Sequence, residues 1–123
     1  MKLESTPNPS INIIQGYDDS GIKVNEQLII TSFIIMPEKL LPNWRPRHFS
    51  ELTVNDFDAI TELDPEIIII GSGKKLYFPE AKISQTIISK NIGFEIMDTY
   101  AACRCYSILV AEGRNVAAGL IIE

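Results

Sequence analysis

Gly71-Ser72-Gly73-Lys74-Lys75 and Asp98-Thr99 are the two stretches of this sequence whose residue types and spacing could hold a ligand. A Gly-Ser-Gly turn can aim several backbone N–H groups at one anion, here with two ammonium groups beside them. It is not one of the familiar phosphate loops. A dinucleotide fingerprint needs a third glycine three residues on, where Leu76 stands, and a helix that opens at the loop. A Walker loop needs four residues between its glycines and Ser or Thr after its Lys. The bland reading is a tight turn whose glycines allow positive φ. Asp98-Thr99 has the residue types of a helix start, and a capping carboxylate places negative charge where an anion would sit. Both stretches follow strand-like apolar runs, and α/β sheets bind ligands at the carboxyl ends of their strands. If those strands are neighbours, Gly71, Ser72, Gly73, Lys74, Asp98 and Thr99 line one crevice suited to an anionic metabolite.

The remaining reactive residues form no set. Arg104 falls opposite the Ala102/Tyr106 stripe of its helix and points outward, to solvent or to a protein partner. Cys103 and Cys105 point away from each other on that helix, so they cannot bridge, and no histidine lies nearby in sequence to activate them. The lone His48 lies in a Pro-rich loop with no nucleophile partner, and Trp44 reads as an anchor for the same loop. Catalytic and metal-ligand sets are therefore expected to be absent, with no cofactor, since two thiols and one imidazole make no ordinary zinc site.

These residues need elements to position them. Residues 1–10 hold two prolines and few apolar side chains, which predicts a flexible tail; residues 11–123 are read as one α/β domain. Apolar residues on either side of Asp18-Asp19-Ser20-Gly21 predict an N-terminal β-hairpin. Leu28 to Met36 is β-branched and nearly continuous, as a strand buried on both faces would be. Pro37 to Ser50, with three prolines, reads as a shaped loop. Thr53 with Asp56 then starts a short helix. From there the order is β-α-β-α-β: Ile67–Ile70, a helix opened by Pro79-Glu80, Phe94–Met97, a long helix capped by Asp98, and Val116–Ile122. The expected fold is a three-layer α/β domain with a mixed central sheet and flanking helices.

Bulk properties narrow the function classes. The apolar fraction is 46 % and the charged fraction 22 %, values of a folded globular chain. A net charge of −5 argues against a nucleic-acid partner. Two short basic spots remain, Arg45–Arg47–His48 and Lys74–Lys75, read as solvated surface. No apolar run approaches the roughly 20 residues of a membrane span. The N-terminal stretch has an acid and a proline where a signal peptide has an apolar core, so a cytoplasmic location is expected.

The blocks Asp64-Pro65-Glu66 through Ile70-Gly71-Ser72-Gly73, Phe78-Pro79, Gly93 through Asp98-Thr99, Ala101 through Leu109 and Glu112 through Ala118 resemble one family. It is the small α/β domain shared by many bacterial proteins of unknown function and the mitochondrial respiratory complex I assembly factor 3. The resemblance implies a compact three-layer fold, no established catalytic residues, and protein partners, with respiratory-complex subunits among the options. Cys105 and Ser107 stand where the family commonly has Thr and Asn. The leading expectation is thus a non-enzymatic interaction or assembly factor. The rival is an enzyme or anionic-metabolite binder using the Gly71–Gly73/Asp98–Thr99 crevice, and self-association stays open.

Overall fold

The computed structural model describes residues 11–123, and the tail expected over 1–10 lies outside the described residues. The elements are β1 (Ile14–Asp18), β2 (Gly21–Val24), β3 (Gln27–Ile29), β4 (Phe33–Met36), β5 (Lys39–Leu41), α1 (Val54–Thr61), β6 (Ile67–Gly71), α2 (Ala81–Ile88), β7 (Gly93–Met97), α3 (Thr99–Ala111) and β8 (Val116–Leu120). A single 3-10 turn, Phe49–Glu51, precedes α1.

Strand order β5-β4-β8-β6-β7 makes a five-stranded sheet, and β1-β2-β3 a separate three-stranded one. β6 runs parallel to β7 and β8, while β4 is antiparallel to β8 and β5. The central sheet is therefore mixed, as the β-α-β-α-β order after an early hairpin implies.

Successive strand side chains point to opposite faces, so a sheet covered on both sides needs strands with no polar face. Phe33 and Ile35 of β4, Ile69 of β6, and Val116, Ala118 and Leu120 of β8 enter one core. They meet Ala102, Cys103 and Tyr106 of α3 and Ile22 and Val24 of β2. Ile34, Met36, Ile68, Ile70 and Ala117 enter the other core, against Phe57 and Ile60 of α1, Ile87 of α2 and Trp44. The outer layers are thus α3 with the small sheet on one face, and α1 with α2 on the other. Burying one isoleucine side chain contributes roughly 1.5–3 kcal/mol. The all-isoleucine β6 therefore anchors both cores at once.

Two local expectations are corrected. Leu28 to Met36 is not one buried strand but two, β3 at the edge of the small sheet and β4 inside the central one; Leu28 and Ile30 are 56 % and 64 % exposed. Ser32 marks the break. It is buried, its carbonyl accepts from the Trp44 N–H at 2.9 Å and its hydroxyl from the Ile122 N–H at 3.0 Å, so the chain turns here to serve new partners. Pro37 to Ser50 is not all loop either. A turn at Pro37-Glu38 sends Lys39–Leu41 back along β4 as β5, a strand created by pairing rather than by propensity.

The rest of that segment is pinned by Trp44, whose indole N–H donates to the Asp56 carbonyl at 3.3 Å. Gly119 makes room for it: a Cβ there would stand 2.8 Å from the Trp44 ring and 2.9 Å from Ile60. Asp56, buried in the first turn of α1, accepts from Arg45 Nε at 3.0 Å and Nη2 at 2.6 Å, and from the Thr53 N–H at 2.8 Å. Burial alone would raise this carboxyl. The Arg45 guanidinium and the Thr53 donors outweigh that and hold it below the usual carboxylate range.

Candidate functional site

Parallel pairing sets Gly71 level with Met97 of β7 and Leu120 of β8, so three carboxyl ends meet at one edge. They close on one another. The Ser72 N–H donates to the Met97 carbonyl at 2.8 Å, the Thr99 N–H to the Gly73 carbonyl at 2.9 Å, and the Ile121 N–H to the Gly71 carbonyl at 3.0 Å. Thr99, 5 % exposed, joins all three ends. Its hydroxyl accepts from the Gly73 N–H at 2.9 Å and donates to the Ile121 carbonyl at 2.7 Å. The Lys74 N–H donates to Glu123 Oε1 at 2.8 Å. Each backbone N–H of residues 72–74 therefore already has an acceptor within the chain, and the donor set that an anion would need is in use.

The space beneath Gly71 is filled as well. A Cβ on Gly71 would lie 2.9 Å from Thr99 Cα and Oγ1. Gly73 has φ +103°, a conformation that L side chains rarely adopt, and a Cβ there would meet Glu123 at 2.7 Å.

A pocket of about 100 Å³ does open beside this edge, towards the β1–β2 turn. Gly73, Lys74, Asp98 and Thr99 line it; Gly71 and Ser72 are buried and do not. Asp18, Asp19, Tyr100 and Glu123 complete much of the wall. Four carboxylates against one ammonium favour a cationic or donor group over an anion. Asp98 also caps α3, accepting from the Ala101 N–H at 2.9 Å. In sequence, Asp18-Asp19 reads only as a turn and Glu123 carries no signal. The turn and Glu123 are brought together by the sheets, and no local pattern marks that meeting.

Next to the pocket, Tyr100 donates its hydroxyl to Asp19 Oδ1 at 3.2 Å and packs its ring on Tyr17 at 4.9 Å. Desolvation first, then the Asp19 carboxylate, push the Tyr100 hydroxyl up. Arg104 is exposed, as its helical position implies, and its Nη1 donates to the Tyr17 hydroxyl at 2.9 Å, a bond that holds the guanidinium charged.

The thiols carry no nucleophile. Burial pushes Cys103 up to about 12, so it stays protonated, and burial raises the half-buried Cys105 too. His48 lies 3.5 Å from the Glu123 carboxylate through Nδ1. Among the described residues, no cluster of three His, Cys, Asp or Glu is arranged to hold a metal ion, and no helix is long and apolar enough to cross a membrane.

Comparison with known proteins matches residues 14–121 to a family described as "Protein of unknown function (DUF498/DUF598)". Over 115 residues the chain is 27 % identical to NADH dehydrogenase [ubiquinone] 1 alpha subcomplex assembly factor 3 of Rattus norvegicus, covering 92 % of this chain and 62 % of that protein. The chain thus spans less than two-thirds of that relative's length. It is 38 % identical over 64 residues to the 13 kDa major membrane protein of Francisella tularensis, covering 52 % of each. Among solved structures, a Bordetella parapertussis protein superposes with a TM-score of 0.88 at 28 % identity, over 95 % of this chain and all of that one. A Bartonella henselae structure, described as an outer membrane protein, gives 0.79 at 25 % identity, over 93 % and 97 % of the two chains.

Proposed function

The chain belongs to the DUF498/DUF598 family of proteins of unknown function, and from that premise we propose that it is a non-enzymatic interaction and assembly factor that works with protein partners. One observation carries the reading. The sheet edge where an α/β protein would hold a ligand is closed by the chain's own hydrogen bonds, through Thr99 and the residue 72–74 N–H groups. Burial raises both thiols, Cys103 most strongly, so neither is an activated nucleophile. What the molecule offers instead is surface, including Arg104. The likeness to an NADH dehydrogenase assembly factor supports subunits of a respiratory NADH dehydrogenase as the partner class; the proposal has the chain engage them from the cytoplasmic, aqueous side.

The test is deletion of the gene in its host, with the respiratory NADH dehydrogenase followed by native gel electrophoresis and NADH oxidation. Loss of the assembled complex, restored by the wild-type chain but not by Arg104→Ala, supports the reading. Unchanged assembly in the deletion strain rejects it.

A second reading rests on the pocket. Gly73, Lys74, Asp98 and Thr99 do line a cavity, so a small-molecule site stays in play, but Asp18, Asp19 and Glu123 change the ligand it suits from an anion to a cation. Thermal-shift screening of polyamines and basic amino acids beside phosphorylated metabolites separates the two. A ligand at 100 times its dissociation constant contributes about 2.7 kcal/mol, which such a screen resolves.

A further inference from the structure

We infer that the loop between β6 and α2, together with the turn that leads into α1, forms a docking surface for an anionic lipid bilayer. Leu76, Tyr77 and Phe78 follow one another in this loop and are 50 %, 44 % and 71 % exposed. Three consecutive large, mainly apolar residues facing water lower solubility unless something covers them. The loop is not loose. The Ser72 hydroxyl, buried beneath it, donates to the Lys75 carbonyl at 2.5 Å and accepts from the Tyr77 N–H at 3.3 Å. The Glu123 carboxylate holds the Lys74 N–H on one side and His48 on the other. Leu76 and Phe78 are thus presented to solvent on a fixed backbone, with Tyr77 between them partly covered by Phe49.

Charge identifies what covers them. Of the basic spot Arg45–Arg47–His48, Arg45 is paired with Asp56, while Arg47–His48 and the second spot, Lys74–Lys75, are brought side by side. Tyr77 stacks on Phe49 with ring centroids 5.6 Å apart, and Glu123 bridges the same two loops. Lys82, exposed in the first turn of α2, adds a further positive charge just beyond Phe78, against Glu80. In a chain of net charge −5, this edge therefore sets Arg47, Lys74, Lys75 and Lys82, interleaved with Glu51, Glu80 and Glu123, beside protruding aromatics. That is the pairing a headgroup region takes up: lysines on the anionic surface, Tyr, Phe and Leu in the interfacial layer. Protruding side chains suit a soft layer that moulds around them, whereas a protein partner needs a matching cavity. Nucleic acid fits less well, since a phosphate backbone offers no apolar layer for Leu76 and Phe78.

The experiment uses the full chain and sedimented vesicles of phosphatidylcholine, with and without about one-third phosphatidylglycerol. The chain is expected to bind the anionic vesicles at low salt, to leave them at high salt, and to ignore pure phosphatidylcholine. Each lysine near a charged surface is worth roughly five-fold in partitioning, so Lys74→Gln/Lys75→Gln weakens binding on the order of 30-fold. Leu76→Ser/Phe78→Ser weakens it at least as much, while both double variants melt like the wild type because these side chains are solvent-facing. Phe78→Trp shows insertion directly, by a blue shift of its emission with anionic vesicles only. The inference is overturned by absence of vesicle binding in the wild-type chain, by equal binding to neutral vesicles, by Phe78→Trp emission that vesicles leave unchanged, or by serine variants that lose a captured protein but not lipid.

Discussion

Gly71–Gly73 and Lys74–Phe78 are adjacent in the chain and opposite in physical character. In the first segment every residue is buried and every N–H from 72 to 74 is held by an acceptor in the chain. Its glycines are required because Thr99 and Glu123 occupy the space a Cβ would take. In the second segment five residues in a row are exposed; the backbone is tied down by Ser72 and Glu123, and of the side chains Tyr77 stacks on Phe49. The difference teaches that the Gly-Ser-Gly turn is the foundation and the following loop is the working surface. A motif that resembles a phosphate cradle here fixes a strand edge and presents its neighbours.

That contrast can be broken most severely at Gly71. Gly71→Ala forces a methyl against Thr99 backbone and is expected to destabilise by about 3 kcal/mol, read from urea unfolding. A variant as stable as wild type would mean that the edge is not closed. Thr99→Val removes the acceptor for the Gly73 N–H and the donor to the Ile121 carbonyl in a buried site, costing about 2 kcal/mol, while Thr99→Ser keeps both bonds and costs about half that. A smaller loss for Thr99→Val than for Thr99→Ser would point to the methyl, not the hydroxyl.

The Phe49 side of the surface depends on Asp56, and pH sharpens that link. Asp56→Asn should cost about 1–2 kcal/mol at pH 7. The folded-state value of Asp56 is lowered, so the stabilisation it gives is fully present above the unfolded value of about 3.9 and is lost as pH falls through the lower folded value. The gap between wild type and Asp56→Asn should therefore close in acid; a gap that stays constant down to pH 2 would refute the assignment. Arg104→Ala is expected to move the melting temperature by less than about 2 °C, because its single bond is to an exposed Tyr17 hydroxyl. Its effect belongs in partner capture instead. The smallest stability effect is expected at Leu76 and Phe78, where serine should change vesicle binding and leave the melt untouched.

Much of the frame was legible. Ile67–Ile70 reads as a strand and Asp98, before a 3.6-residue stripe, as a helix cap; both hold in the fold. The site was legible in part. Gly73, Lys74, Asp98 and Thr99 share a pocket, but its sign of charge was not readable, because Asp18, Asp19 and Glu123 lie far from them in sequence. Leu28 to Met36 misled for a related reason. Apolar continuity cannot say which sheet a residue joins, and the bonds made by Ser32 that divide the run come from residues 44 and 122.

The sequence by itself determined which segments are apolar on one face or on two, where the helices are capped, and hence the three layers. These depend on the period of the side chains and on contacts within a few residues. Tertiary structure alone decided that the turn's N–H groups are used internally, that two basic spots meet across the Phe49–Tyr77 stack, and that Arg104 rests on Tyr17, 87 positions away. Each of these is a contact between distant segments, and such contacts exist only once burial of the two cores has fixed the sheet order.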